Sequence, residues 1–300
     1  MLVYFRIALA YRIIDKPNER SSHSKITIRG AGIIFPIAVV LYLVFFHQVS
    51  AILMGGMLLV SIISFWDDVV ELPRKLRLLI HITAVSALLY TVHASLPSLW
   101  LLPVLYILII GIINAYNFMD GINGITGLYS LIVILSLAYL NEYQVSFTDS
   151  AFIMTAGLAC LVFLFFNFRK KARCFAGDVG SVSIGFWICA LLLMVILKTQ
   201  ELKYILFLAV YGVDAVLTII HRLLLKQNIF DAHRFHFYQL MANEGKMPHL
   251  WVSGIYAALQ LSINAFILLT NFPFWLTFLI TCFPLILVYV TIKPRLILVR

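Results

Sequence analysis

The fold is indicated by a predominantly apolar segment without charged side chains, Ser181-Val-Ser-Ile-Gly-Phe-Trp-Ile-Cys-Ala-Leu-Leu-Leu-Met-Val-Ile-Leu197. Similar runs recur throughout the 300 residues, of which 63% are hydrophobic and only 12% are charged. Soluble domains carry charge on roughly a quarter of their residues. A predominantly apolar run of about 20 residues can cross a bilayer as a helix. The sequence therefore predicts an all-α, polytopic integral membrane protein.

The apolar runs predict about 11 transmembrane helices. They lie at 1–14, 30–48, 50–66, 76–96, 98–115, 122–140, 150–168, 181–197, 203–224, 250–270 and 272–292. The first run is short and carries Arg6 and Arg12, so we interpret it as the stub of a first helix. No repeat with a period of roughly 20–50 residues is visible, which favours a single integral domain over residues 1–300.

Lysine and arginine are concentrated on one side of this predicted topology. Most of the 22 Lys and Arg lie at 15–29, 67–77, 169–180, 222–249 and after Thr291. The opposite loops hold only Lys198 and Lys203. Because positive charge accumulates in cytoplasmic loops, we expect the charge-rich segments inside, the N-terminus outside and the C-terminus inside. We expect the active site at the same cytoplasmic face, since most of the 13 acidic residues also lie there.

Two further classes are disfavoured by composition. The net charge of +9 comes from cations scattered singly through apolar sequence, without the basic face of a nucleic-acid-binding protein. The four cysteines, Cys160, Cys174, Cys189 and Cys282, show no paired spacing. We therefore predict small core residues rather than a disulfide framework or a zinc site.

Carboxylates stand at the ends of two predicted helices. Asp67 and Asp68 are adjacent at the inner end of a span, where a shared proton or a divalent cation would relieve their repulsion. A solvated helix end is the structural alternative. Asp178 lies between glycines where the next charge-rich segment leads into a helix. Such a position is an anion site, although an Asp there most often caps the helix.

A polar turn, Asn114 to Gly127, interrupts two apolar helices. Asn117, Asp120 and Asn123 recur every three residues, so a helical turn would place their oxygens on one face. Hard oxygen ligands in small number suit Mg²⁺, which keeps waters and shares substrate phosphates. A packing seam of small residues would explain the glycines but not the amides and the carboxylate.

The remaining candidates are cations and histidines in the inner segments. The first loop carries Arg20, His23, Lys25 and Arg29, which the positive-inside rule alone would also explain. His233 and His236 suit zinc by spacing, but no third nitrogen or sulfur ligand is near, which favours pyrophosphate binding. Asp214, Thr218 and His221 form one polar stripe along a span toward the same face.

In their order along nearly the whole chain, these segments resemble the signatures of the polyprenyl-phosphate N-acetylhexosamine-1-phosphate transferases of glycosyltransferase family 4. The matching motifs are Arg20-Ser-Ser-His23 with Arg29-Gly30, Asp67-Asp68, Asn117-Phe-Met-Asp-Gly-Ile-Asn-Gly124, Phe175-Ala-Gly-Asp-Val-Gly-Ser181 and His233-Arg-Phe-His-Phe-Tyr-Gln239. The resemblance implies an enzyme of the bacterial plasma membrane that transfers a sugar-1-phosphate from a UDP-N-acetylhexosamine to undecaprenyl phosphate. UMP would be released, and the lipid-linked pyrophosphoryl sugar would initiate an O-antigen, capsule or other envelope polysaccharide.

The resemblance also implies roles for individual residues. Mg²⁺, with Mn²⁺ as an alternative, would bind to Asp178 and Asn117. Asp67 and Asp68 would orient or deprotonate the lipid phosphate, and Asp120 would act with them as a catalytic carboxylate near the nucleotide sugar. The implied substrate-binding residues are Lys75, Asn123, His233, Arg234, His236, Arg20, His23 and Lys25. The resemblance does not distinguish a covalent intermediate from direct attack by the lipid phosphate. It also leaves open which sugar is transferred and whether the protein is a homodimer.

Other functions make different expectations. The His-Arg-Phe-His sequence resembles O-antigen and capsule initiators more than the phospho-N-acetylmuramoyl-pentapeptide transferase of peptidoglycan synthesis, which has consecutive histidines and ranks second. An ion-coupled transporter using Asp214 predicts polar residues near the membrane midplane, whereas the candidates cluster at the inner face. A scaffold protein predicts that Asp67→Ala and Asp178→Ala leave activity in cells unchanged.

Overall fold

The structure is a computed structural model that describes residues 1–15, 26–70, 72–228 and 233–298. Within these residues the chain forms twelve α-helices joined by turns and short 3₁₀ segments. The helices are α1 (Leu2–Ala10), α2 (Ile34–Phe45), α3 (Ala51–Val69), α4 (Arg74–Val92), α5 (Leu102–Met119), α6 (Ile125–Tyr143), α7 (Ser150–Asn167), α8 (Gly177–Thr199), α9 (Ala209–Leu224), α10 (Phe237–Asn243), α11 (His249–Leu269) and α12 (Phe274–Leu298). Two short strands, β1 (Ile14–Asp15) and β2 (Thr27–Ile28), pair antiparallel.

The predicted all-α membrane fold is confirmed. Among the described residues, nine helical segments are long and apolar enough to cross a membrane, and the shorter apolar segment Ala31–Phe45 accompanies them. Each predicted run contains a helix, although the first contains only α1, which has nine residues. The sequence does not predict α10, because it lies in a charge-rich segment and has only seven residues.

Helix α8 lies at the centre of the bundle. Within an apolar stretch of 18 residues in this helix, 89% of the residues are buried, as expected for a helix that is hydrophobic on all sides. It packs mainly against α3 and α5 and also contacts α2, α6 and α7. Its Cys189 is a buried free thiol, as are the other three cysteines, which confirms their predicted place in the core. The N-terminus of α8 is therefore held at a fixed position among its neighbours.

Two features attach the N-terminal segment to this end of α8. Ile28 of β2 bridges to Cys174, and the amide of Phe175 donates to the carbonyl of Ile28 at 2.8 Å. In the following 3₁₀ turn, a Cβ on Gly32 would overlap the backbone of Gly180. Only glycine permits this close approach. Both contacts hold Arg29, which lies between them in sequence, beside the first turn of α8.

The opposite end of the bundle has simpler connections. Asp149 begins α7 by accepting a hydrogen bond from the amide of Ala151 at 3.2 Å. The hydroxyl of Tyr42 donates to the other oxygen of this carboxylate at 2.6 Å. Asp149 is thus a helix cap, at the end of the bundle that carries none of the candidate residues.

Candidate active site

The polar ends of α3, α4, α5 and α8 meet at one end of the bundle. Three carboxylates, those of Asp67, Asp68 and Asp178, lie there within ion-pair distance of Arg29 or Arg77. We name these five residues the carboxylate cluster. They are distant in sequence, and they come together because α3 packs against both α4 and α8.

Asp68 holds the first turn of α8. Its buried side chain accepts hydrogen bonds from the amides of Asp178 at 2.9 Å and Val179 at 3.0 Å. Arg29 donates to the same carboxylate through Nε at 2.7 Å. Gly177 has a φ of 71°, and a Cβ at this position would collide with the carboxylate. Asp68 therefore satisfies amides that the helix leaves free and offsets the positive end of its dipole.

Asp67 fixes the connection between α3 and α4. One carboxylate oxygen accepts from the amide of Leu72 at 2.7 Å, and the other accepts from Nη1 of Arg77 at 2.7 Å. The same Arg77 nitrogen lies 3.7 Å from Oδ2 of Asp178. The catalytic roles of Asp67 and Asp68 stay predictions, and in this conformation both carboxylates have partners.

Asp178 is the most accessible carboxylate of the cluster. Its side chain is 22% exposed, against 5% for Asp67 and 0% for Asp68. Nδ2 of Asn117 donates to its Oδ1 at 3.1 Å, and Nη2 of Arg29 donates to the same atom at 3.3 Å. Burial opposes the charge of Arg29, but the attraction of Asp68 and Asp178 is stronger and raises the pKa of the guanidinium. The cluster is therefore a set of charged groups with one carboxylate facing outward.

The predicted metal ligands are consistent with a magnesium site that substrate completes. Among the described residues, no group of three or more His, Cys, Asp and Glu is arranged to hold a metal ion. Mg²⁺ does not require such a cage, since it binds through one or two carboxylates, waters and substrate phosphates. Asp178 supplies a hard carboxylate, and Asn117 uses its amide nitrogen for Asp178, which leaves its amide oxygen as an acceptor. The donor set therefore fits Mg²⁺.

Asp120 ends α5 close to this cluster. Thr126 donates to its Oδ1 at 2.7 Å. Burial is the main cause that raises the pKa of Asp120 to about 7, and the negative charges of Asp178 and Asp68 act in the same direction. An acid with a pKa near neutrality is suited to accept or donate a proton during turnover, which is compatible with the predicted catalytic role.

Asn123 connects the polar turn to neighbouring segments of the chain. Its Nδ2 donates to the carbonyl of Arg169 at 2.8 Å, and its own carbonyl accepts from the hydroxyl of Ser253 at 2.8 Å. The residue is 6% exposed. The adjacent amide of Gly124 donates to Asn167 at 2.7 Å. Asn123 thus connects the turn to neighbouring helices, and its predicted contact with substrate stays a prediction.

The histidine segment, which we define as residues 233–239, lies beside the polar turn. The ring of His236 stacks on Phe118 with centroids 6.2 Å apart, and the ring of His233 lies 4.9 Å from that of His236. Burial is the main cause that lowers the pKa of His233 to about 3, and the neighbouring His236 and Arg222 act in the same direction. His233 is therefore a neutral imidazole at neutral pH and offers one hydrogen-bond donor rather than a charge.

Tyr238 joins the histidine segment to the polar turn. Its hydroxyl donates to the carbonyl of Phe118 at 2.9 Å. A Cβ on Gly121 would collide with the same hydroxyl, so this glycine permits the close contact. Because Phe118 follows Asn117, the histidine segment and the carboxylate cluster share one supporting turn.

The other predicted residues have different outcomes. Arg20, His23 and Lys25 lie outside the described residues. Lys75 is exposed in the first turn of α4, and Arg234 is partly buried in the histidine segment. Arg77 is not among the site residues predicted from the sequence, although it forms an ion pair with Asp67. Its position near the Asp67-Asp68 pair was the available signal.

The chain was also compared with known proteins. A model of glycosyl transferase family 4 matches residues 49–196, a range that contains all three carboxylates of the cluster. A probable undecaprenyl-phosphate N-acetylglucosaminyl 1-phosphate transferase of Bacillus subtilis (strain 168) is 30% identical over 299 aligned positions. The alignment covers 92% of this chain and 82% of the relative. This chain therefore belongs to glycosyl transferase family 4.

Proposed function

We propose that the protein transfers a sugar-1-phosphate from a UDP-N-acetylhexosamine to undecaprenyl phosphate. A lipid phosphate oxygen would bond to the phosphorus next to the sugar, and the bond from this phosphorus to UMP would break. The observation that carries the proposal is the carboxylate cluster at the end of membrane-spanning helices, with Asp178 facing outward. The name of the Bacillus subtilis relative supports the same reaction.

Charge compensation is the main physical requirement of this reaction. Both substrates are anionic where they react, so positioning and electrostatic stabilisation supply most of the catalysis. Arg29 and Arg77 bring two fixed positive charges to the cluster. When bound at Asp178 and Asn117, Mg²⁺, or Mn²⁺ in its place, would neutralise charge on the donor pyrophosphate.

The protein's own residues divide the remaining tasks. Asp68 holds the first turn of α8, so that Asp178 keeps a fixed position. Asp120 would exchange a proton with the lipid phosphate or with the leaving group, since its pKa is about 7. His233, Arg234 and His236 would donate to phosphate oxygens. The polar turn contacts the carboxylate cluster through Asn117 and the histidine segment through Phe118.

Membrane orientation follows from the distribution of charge. The carboxylate cluster and the histidine segment lie in or beside the lysine- and arginine-rich segments, and the polar turn contacts both of them. The positive-inside rule supports an active site at the cytoplasmic face, where nucleotide sugars are available, and we propose that the membrane is a bacterial plasma membrane. The same rule places the N-terminus outside and the C-terminus inside.

The histidine segment and the relative's name bear on the pathway and on the sugar that is transferred. The His-Arg-Phe-His sequence favours an initiator of O-antigen, capsule or another envelope polysaccharide over a phospho-N-acetylmuramoyl-pentapeptide transferase. The relative's name favours N-acetylglucosamine among the amino sugars to be tested. The product would be a lipid-linked pyrophosphoryl sugar, ready for extension by glycosyltransferases.

The test is UMP release by the purified protein in detergent with undecaprenyl phosphate and a panel of UDP-N-acetylhexosamines. We expect release that requires both the lipid and Mg²⁺, stops with EDTA and returns when excess Mg²⁺ is added. Turnover of Asp178→Asn should be about 10³-fold lower than that of wild type. Asp149→Asn is the matched control, because it changes a helix-capping carboxylate at the opposite end of the bundle. Folded protein that releases no UMP with any donor would contradict the proposal.

A further inference from the structure

Asp214 is a buried carboxylate for which the reaction above has no use. It lies in α9, inside a membrane-spanning segment, and is 3% exposed. A carboxylate in such a place is costly unless several donors surround it. Tyr256 donates to Oδ2 at 2.8 Å, and Thr218 donates to Oδ1 at 3.2 Å.

The backbone of the histidine segment supplies the other donors. The amides of Phe237 and Tyr238 donate to the two oxygens of Asp214 at 2.8 and 3.3 Å. Nδ1 of His236 lies 3.5 Å from Oδ1 of Asp214. Helix α10 begins at Phe237 and has only seven residues, too few to be stable alone in water. The start of this helix is thus fixed by a carboxylate from another helix.

A buried cation from α12 balances the charge. Lys293 is 2% exposed, and its Nζ lies 3.2 Å from the hydroxyl of Thr218. The hydroxyl of Tyr289 contacts both Lys293 and Thr218. Thr218 therefore stands between the carboxylate of Asp214 and the ammonium group. Three helices, α9, α11 and α12, together hold the carboxylate.

The network connects directly to the site. His236 is 1% exposed, and its Nε2 has no hydrogen-bond partner among the described residues. Its ring stacks on Phe118, and the hydroxyl of Tyr238 donates to the carbonyl of Phe118. Asp214 therefore binds the amide of Tyr238, which itself contacts Phe118, and the amide of Phe237, which directly follows His236.

We propose that Asp214 is a positioning residue for the transferase, which sets the place of His236 by binding the start of α10. It does not touch substrate. The proposal rests on the proposed function in one respect, namely that the histidine segment acts on phosphate. The geometric part, control of His236 by Asp214, is independent of the reaction.

The test compares Asp214→Asn and Asp214→Glu with Asp149→Asn. Asp149 is the matched control, because it also accepts from a helix amide and a tyrosine hydroxyl but lies at the opposite end. The first measurement is carbethoxylation by diethyl pyrocarbonate, mapped to single histidines by mass spectrometry. In Asp214→Asn we expect His236 to react about 10-fold faster than in wild type, and His81, which is also buried, to be unchanged.

The second measurement is UMP release. We expect kcat to fall about 10- to 100-fold in Asp214→Asn, with little change in KM for the nucleotide sugar, because the carboxylate cluster is untouched. Asp214→Glu should retain more turnover than Asp214→Asn, since it keeps the charge. A cavity of about 300 Å³ beside Asp214 has room for the extra methylene. Asp149→Asn should match wild type.

Three results would overturn the proposal. The first is a protected His236 in Asp214→Asn. The second is equal exposure of His81 and His236, which would mean that Asp214 supports the whole fold. The third is higher turnover for Asp214→Asn than for Asp214→Glu. If wild type releases no UMP with any donor, the proposed function fails, and the carbethoxylation result still decides the role of Asp214.

Discussion

Asp68 and Asp214 make the same interaction in two regions of the molecule. Each comes from a membrane-spanning helix and accepts hydrogen bonds from two successive amides at the start of another helix. Asp68 holds α8, which carries the metal-binding candidate Asp178. Asp214 holds α10, which follows the candidate phosphate-binding histidines. Both halves of the candidate site are thus positioned by a carboxylate that lies outside the helix it caps.

The two carboxylates differ in what neutralises them. Asp68 is paired directly with Arg29, whose side chain is 36% exposed, at the rim of the site. Asp214 accepts hydrogen bonds from the hydroxyl groups of Thr218 and Tyr256. The nearby cation, Lys293, contacts Thr218. We therefore propose that Asp68 contributes to the electrostatic field at the reacting phosphates, whereas Asp214 acts only through the position of α10. Substitution at the first half should therefore cost more activity than substitution at the second.

The largest effect is expected for Asp178→Asn, which removes the accessible carboxylate but preserves shape. UMP release should fall by about 10³-fold, because the carboxylate proposed to hold Mg²⁺ at the reacting phosphates is lost. The measurement is turnover at saturating substrates, with Tm in detergent as the check on folding. Activity within 10-fold of wild type, in folded protein, would remove Asp178 from the centre of the site.

Asp68→Asn should follow, with a loss of about 10²-fold. The amide group cannot accept from both backbone amides, and Arg29 loses its closest partner. The loss should exceed that of Asp214→Asn in the same assay. The reverse order would contradict the distinction drawn between the two carboxylates.

Gly177→Ala tests the contact between α3 and α8 from the backbone side. Alanine at a φ of 71° is strained, and its Cβ would collide with the carboxylate of Asp68. We expect a loss of about 1–3 kcal/mol in the free energy of unfolding, with reduced turnover. Gly55→Ala is the control, because a Cβ there meets no atom within 4 Å. Equal stability of the two variants would contradict the close contact.

Asp120 should make stability depend on pH. Its pKa is raised from 3.8 to about 7, so the folded protein binds a proton that the unfolded chain has released. The stabilisation is present at low pH and is lost as pH rises from about 4 to about 7. In EDTA, Tm of wild type relative to Asp120→Asn should fall by about 3–5 °C between pH 5 and pH 8. A constant difference would refute the raised pKa.

The smallest effect is expected for Asn123→Asp. A carboxylate oxygen would face the carbonyl of Arg169, where Nδ2 of Asn123 now donates. We expect a loss of about 1–2 kcal/mol in the free energy of unfolding and a few-fold loss of turnover. A loss as large as that of Asp178→Asn would mean that Asn123 contacts substrate after all.

The sequence predicts the helices well, because an apolar run such as that of α8 has one stable form in a membrane. It also predicts which carboxylates gather at one face, since helix ends and charge asymmetry are local signals. It does not predict that Arg29 reaches Asp68, because this depends on the bridge between Ile28 and Cys174. Nor does it predict α10, a helix of only seven residues whose first amides are bound by Asp214 from another helix.

We propose that Asp178 faces substrate, whereas Asp68 and Asp214 hold the starts of helices. The most direct test is to measure Mn²⁺ binding by electron paramagnetic resonance in the presence of a UDP-N-acetylhexosamine. Wild type and Asp214→Asn should bind one Mn²⁺ with similar affinity, and Asp178→Asn should lose binding by about 10²-fold or more. Unchanged Mn²⁺ binding in folded Asp178→Asn would contradict the account.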